Sequence, residues 1–245
     1  MNYKVVTTWN ELNNWQLAKI ASLLFSAFSE EKIKHGLVYI LFLRKKSIWN
    51  SFKMRYLIAR VPFAELYKHT AFLSNSTDRT EFPKYLKLGF IKLYGPDSRM
   101  NNLTIDQFSM ADMFYYSWCK TRNNKELNRL VSILYLPKGK VFSRKELDHS
   151  IYVRLMPRDK KLSVVLAYIG SRQLLIQRFT HVFKNSSGSG KNTYNSFDKI
   201  VFNMARSENQ PFGPLSNTKE ANLYDFMNIL DDELADQKEF TRNNE

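Results

Sequence analysis

Residues 103–142 read LTIDQFSMADMFYYSWCKTRNNKELNRLVSILYLPKGKVF, and the periodicity of this stretch decides the fold class. Thr104 followed by Gln107 has the spacing of a capping box, and Phe108, Ala111, Phe114, Tyr115 and Trp118 then recur at helical intervals. The spacing predicts a helix. Asn123 and Glu126 open a second one, in which Leu127, Leu130, Val131 and Leu134 fall at i, i+3, i+4 and i+7. Two amphipathic helices joined by so short a loop lie antiparallel, with Phe108, Tyr115, Leu127, Leu130 and Leu134 expected in the core. The expected fold is mainly α: an irregular multi-helix bundle built on this central helical hairpin.

Composition agrees. With 44% hydrophobic and 14% aromatic residues the chain has ample material for a core, and 8 glycines and 7 prolines in 245 residues are too few for a sandwich or barrel. The one cysteine, Cys119, excludes an intrachain disulfide framework and fits a reducing compartment. No signal-peptide pattern opens the sequence, and its longest wholly apolar run, Leu37–Leu43, is far below the roughly 20 residues of a spanning helix. That run reads equally as a buried helix or a strand.

Outward from the hairpin, Thr8 with Glu11 caps an N-terminal helix expected over about 14–28, and Pro62 sits in the first turn of another reaching about Leu73. Between residues 82 and 96 the texture changes: Gly89, Gly95 and Pro96 punctuate alternating apolar positions, as in a small β-hairpin or extended element. Pro157 and Asp159 begin a long helix with Leu162, Val165, Leu166 and Ile169 on one stripe and a kink or break expected at Gly170-Ser171 before Arg172–Phe183. Residues 185–196, centred on NSSGSGKNTYN, have the composition of a flexible linker. Asn217 and Glu220 are expected to cap a last helix. These readings divide the chain into a main helical domain (1–184, hairpin 103–142), a linker (185–196) and a C-terminal helical segment with an acidic tail (197–245).

The formal net charge is +14, and residues 1–160 carry all of it, with 27 basic against 13 acidic residues. Arg44–Arg60 holds six basic residues and no acidic one, and the tract 120–145 holds eight against Glu126 alone. From Lys219 to the end the sign reverses, three basic against eight acidic. Arg44, Lys45, Lys46, Lys53, Arg55, Arg60, Lys120 and Arg122 are therefore candidates for binding a polyanion, and Trp49, Phe52 and Tyr56 lie among them. A plain amphipathic helix with a solvated basic face reads the same residues without a ligand. In the last helix Leu223, Phe226, Met227, Leu230 and Leu234 form an apolar stripe that must be covered. This marks a candidate protein interface, satisfied by the chain's own body or by the next copy in a homo-oligomer.

Patterns that would carry chemistry are missing. Gly188-Ser189-Gly190-Lys191-Asn192 is not a phosphate-binding loop, because Asn185 and Asn192 stand where a glycine and a hydroxyl residue are needed. His35, His69, His149 and His181 are scattered, and Asp231-Asp232-Glu233 reads as a solvated helix face rather than a metal site. No catalytic, cofactor-binding or metal-binding residue is assigned, and no enzyme activity is expected.

Several phrases are familiar as a set: Trp9 with Leu12, Gln16-Leu17 and Ile20; Leu93-Tyr94-Gly95-Pro96; Gln107-Phe108 with Phe114-Tyr115-Tyr116; Ile133-Leu134-Tyr135 with Pro137 and Gly139; and Val182-Phe183. Together they resemble a family of helical proteins encoded by phages and prophages of Bacteroidota, over most of residues 8–183 and the last helix. The resemblance implies a tail or virion assembly role, other phage or virion proteins as partners and synthesis in the bacterial cytoplasm, with either release after assembly or retention in the virion. The high positive charge and the serine-glycine segment depart from the family's pattern. A nucleic-acid-binding protein using basic helical faces is the alternative expectation.

Overall fold

The helical periodicities are realised in a computed structural model that describes residues 6–43, 47–73, 77–145, 150–184, 197–207 and 209–243. The protein is mainly α, 69% helical, with a small antiparallel sheet. In chain order the elements are α1 (Asn14–Leu24), α2 (Glu30–Leu43), α3 (Ile48–Arg60), α4 (Phe63–Lys68), β1 (Tyr85–Leu88), β2 (Ile91–Tyr94), α5 (Ile105–Thr121), α6 (Asn124–Leu134) and β3 (Leu136–Pro137). They continue with α7 (Ser150–Leu155), α8 (Arg158–Arg178), α9 (Thr180–Lys184), α10 (Phe197–Arg206), α11 (Leu215–Glu220) and α12 (Leu223–Asn243). Two compact units result, Met1–Pro83 with Met156–Gly170, and Lys84–Leu155 with Ser171–Glu245. The expected division falls differently: residues 1–184 are shared between both units, and α10–α12 belong with the central hairpin. The glycine-serine stretch 185–196 lies outside the described residues.

In the first unit, Asn13 caps α1 by accepting from the backbone N–H groups of Trp15 and Gln16, each at 3.0 Å. Gln16 is itself buried and donates from Nε2 to the Leu41 carbonyl at 3.0 Å, which ties α1 to the far end of α2. The run Leu37–Leu43 is helical, with Leu37, Val38 and Leu41 buried as a helix face and Glu30 and Glu31 complementing the dipole of its first turn. Val38, Leu43, Met54 and Leu66 form a core cluster in which Phe42, Leu57, Val61 and Phe63 also pack. The helix α1 ends at Leu24, short of the expected Phe28, and α4 gives way at Lys68 to a 3-10 turn over Ala71–Leu73.

The helix does not break at Gly170-Ser171, since α8 runs unbroken from Arg158 to Arg178. Gly170 answers a close approach instead: a Cβ there would collide with the Arg79 backbone. Arg79, only 4% exposed, is drawn inward by its guanidinium, which donates to the carbonyls of Trp9 (2.7 Å), Leu12 (3.0 Å) and Glu81 (2.7 Å). A buried cation is tolerable only when its donors are satisfied in this way.

In the second unit the hairpin α5–α6 forms as expected. Thr104 accepts from the Gln107 N–H at 3.2 Å, but the Gln107 side chain reaches across to the Ile133 carbonyl at 2.7 Å, so half of the capping box serves to join the helices. Phe108, Leu127, Leu130 and Leu134 are buried, whereas Tyr115 is only partly so. The start of α12 is clipped to the start of α5 by Ile105 N–H to the Ala221 carbonyl (3.0 Å) and Leu223 N–H to the Leu103 carbonyl (2.9 Å). Asn217 and Glu220 lie within the short α11; the cap of the last helix is Asn222, which accepts from the Tyr224 N–H at 2.8 Å.

The sheet has the order β1-β2-β3, with Leu93 opposite Pro137 and Tyr94 opposite Leu136. Gly95 leaves room for the Tyr135 ring, which a Cβ would approach to 2.5 Å.

Candidate functional site

The helix α3 is amphipathic in an unusual sense, since it has apolar side chains on two faces. Asn50, Met54, Leu57 and Val61 follow one another at i, i+4, i+7 and i+11, and Met54 is only 2% exposed in the cluster with Val38, Leu43 and Leu66. Asn50 fastens the start of this face by donating to the Leu43 carbonyl at 3.3 Å. The other face carries Trp49, Lys53, Tyr56 and Arg60 at the same spacing, flanked by Phe52 and Arg55. It is open to solvent: Trp49 is 77% exposed, Phe52 62% and Tyr56 52%. The expectation that the basic residues alone would be solvated is corrected, because the aromatic residues stand outside with them and a methionine makes the contact with the core.

Lys53, Arg55 and Arg60 are all exposed, and the Arg60 guanidinium lies 4.5 Å from the centre of the Tyr56 ring. That contact orders one end of the face, since a cation over a π-surface is held in a preferred position. Ile48 is also exposed and extends the apolar area beside Phe52. Arg44, Lys45 and Lys46 lie outside the described residues. Lys120 and Arg122 belong to the other unit, at the turn between α5 and α6, where Arg122 has a φ of 54° and its guanidinium sits 4.6 Å from the Trp118 ring.

The expected interface on the last helix is not an open face. Leu223, Phe226, Met227 and Leu230 are buried and Leu234 is half-buried, because α12 packs on α9 and α5 within its own unit. The acidic cluster is likewise corrected. Asp231 caps α9 from a distance, accepting from the N–H groups of His181 (2.8 Å) and Val182 (3.1 Å), with the His181 ring 3.2 Å away. Burial raises its carboxyl, but those hydrogen bonds together hold it below the ordinary value.

A cleft of about 330 Å³ lies in the second unit, lined in part by Arg144, Asp198, Phe202, Leu215 and Lys219. Its arginine is already committed. Arg144 bridges both oxygens of Asp106 (2.9 Å each from Nε) and Asp198 (2.7 Å), while Ser109 donates to Asp198 at 2.8 Å. The hydrogen bonds Arg144 donates to Asp106 and then to Asp198 raise the guanidinium further, and the one it donates to Asp198 lowers that carboxyl. This cluster braces α5, α10 and the segment after β3 rather than awaiting an anion.

No protein-family model, curated protein or solved structure matches the chain. The outer face of α3 is therefore judged on its own chemistry. Among the described residues no helix is long and apolar enough to cross a membrane. A run of exposed aromatic and aliphatic side chains on one helix, backed by a packed core, is the kind of patch that marks a contact site. Sequence reasoning found these residues and left two readings open, a plain amphipathic helix and a face that meets a ligand; the signal for the polarity seen here was Met54, Leu57 and Val61, which offer a second apolar stripe with no charged member.

Proposed function

We propose that this chain is a phage structural or assembly protein that acts through protein–protein contacts in a tail, neck or related virion complex. Its docking surface is the outer face of α3. The observation that carries the reading is the exposure of Trp49, Phe52 and Tyr56 on a helix whose opposite side is anchored by Met54. Aromatic residues with arginine are the residue types that dominate binding energy when a partner covers them. The partner's chemistry follows from the charge. Lys53, Arg55 and Arg60 edge the apolar strip with no acidic residue between Ile48 and Arg60, so the complement is an apolar groove with an acidic rim. The assembly setting draws on the sequence resemblance, and the exposed aliphatic Ile48 favours a protein groove over nucleic acid at this face.

Purified virion proteins encoded beside the gene are the partners to test. The double substitution Trp49→Ser/Phe52→Ser should weaken binding of one of them by about 30-fold or more, as expected for anchor residues worth at least about 2 kcal/mol. Unchanged binding removes α3 from the interface. Failure of every neighbouring virion protein to bind the unaltered chain removes the assembly role.

A further inference from the structure

The hairpin β1–β2 carries a separate surface in the second unit. Its sequence from Lys84 to Tyr94, KYLKLGFIKLY, contains three lysines and no acidic residue. Leu86 and Leu93 point inward at 3% and 0% exposure, so alternation places Tyr85, Lys87, Lys92 and Tyr94 on the outward face. The tight loop Gly89-Phe90, with Gly89 at a φ of 57°, fixes the register. Lys87 consequently stands directly opposite Lys92, and Tyr85 opposite Tyr94.

Like charges in directly opposed positions repel and destabilise a strand pair. Here both ammonium groups lean over one ring, with Lys87 Nζ 5.0 Å and Lys92 Nζ 5.9 Å from the centre of Tyr85. The ring offsets part of the repulsion and holds the two cations close together. Beside them Phe90 projects from the tip, wholly exposed, and Tyr85 is 41% exposed. A concentrated positive charge among exposed rings is complementary to a phosphate chain whose bases are unstacked.

We propose that this face binds single-stranded nucleic acid. Lys87 and Lys92 take neighbouring phosphates, and Phe90 offers its ring to a base. A duplex satisfies the lysines but hides its base faces from Phe90, and an acidic protein surface likewise engages only the charges. The surface differs from α3 in lacking exposed aliphatic residues on its outward side, and the proposal does not depend on the role given to α3.

The test is fluorescence anisotropy of a labelled oligothymidylate of about 12 nucleotides, within the span of known single-strand sites, titrated with the full chain across about 50 to 200 mM salt. Binding should weaken steeply with salt. Lys87→Gln/Lys92→Gln should flatten the slope of log K against log salt by about 1.4, since each single-strand phosphate contact contributes about 0.7. Phe90→Ala should weaken binding about 5- to 150-fold with the slope unchanged. All three side chains are exposed, so circular dichroism should show each variant folded. No binding at low salt, or an unaltered slope in the double variant, overturns the proposal. So does a labelled polyglutamate peptide bound as tightly and with the same dependence on Phe90, which would assign the face to an acidic protein.

Discussion

Trp49→Ala and Met54→Ala remove large apolar side chains from the same helix, and the structure demands opposite outcomes. Met54 is 2% exposed and packed with Val38, Leu43 and Leu66. Its truncation forfeits that burial and leaves a cavity, a loss of about 2–5 kcal/mol. Trp49 keeps 77% of its surface in the folded chain, so little is lost when it goes. Its truncation should stay within about 0.5 kcal/mol of the unaltered protein. For a chain of this size each kcal/mol moves the melting temperature by about 2–4 °C. Thermal and urea melts followed by far-ultraviolet circular dichroism therefore separate the two variants without relying on tryptophan fluorescence. A Trp49→Ala variant destabilised as much as Met54→Ala would place the indole in the core and refute the assignment of the outer face.

Gly170→Ala should lower the urea midpoint by an amount corresponding to about 1–3 kcal/mol, although alanine is favoured over glycine in a helix by about 1 kcal/mol; a stabilised variant would mean the Arg79 backbone does not press on α8. For Arg144→Met the sign follows from Asp198, whose carboxyl is held down by the hydrogen bond from Arg144, against burial, and then by that from Ser109. A depressed folded value gives stability that is present above the ordinary carboxylate pKa of about 3.9 and lost as the pH falls through the lowered one. The variant should therefore be less stable than the unaltered chain by about 1 kcal/mol at neutral pH, discounted for solvent screening of a partly exposed pair, and the gap should close in strong acid. A gap constant with pH would show that the cluster contributes packing alone.

The parts of the fold that were legible are those set by local periodicity. Leu127, Leu130, Val131 and Leu134 can share a face only on a helix, and Asn123 marks where that helix starts. Gly170 was misread because a glycine that breaks a helix and one that admits a neighbouring backbone look alike in sequence. Arg79 gave no signal at all: its carbonyl partners Trp9 and Leu12 are remote in the chain, and an arginine in a polar loop is ordinarily solvated. The candidate surface was half legible. Trp49, Phe52 and Tyr56 were recognised among the basic residues, but whether they pack inward or meet a ligand stayed open until Met54, with Leu57 and Val61, was seen to make the contact with the core. The Lys87–Lys92 pair was within reach, because a two-residue loop at Gly89-Phe90 dictates the register on which it depends. The apolar stripe of α12 was read correctly as needing cover, and α9 and α5 supply it.

The claim that another protein covers α3 is tested most directly by placing a photo-cross-linking amino acid at Trp49 and, as a control, at the exposed Ile151 of α7 in the second unit. The chain is expressed together with its neighbouring virion proteins, and the cross-linked species is identified by mass. The account predicts one defined partner joined through position 49 and not through 151, whose purified form binds the unaltered chain and is released by Trp49→Ser/Phe52→Ser. Equal cross-linking from both positions, or a partner whose binding ignores that double substitution, would contradict it.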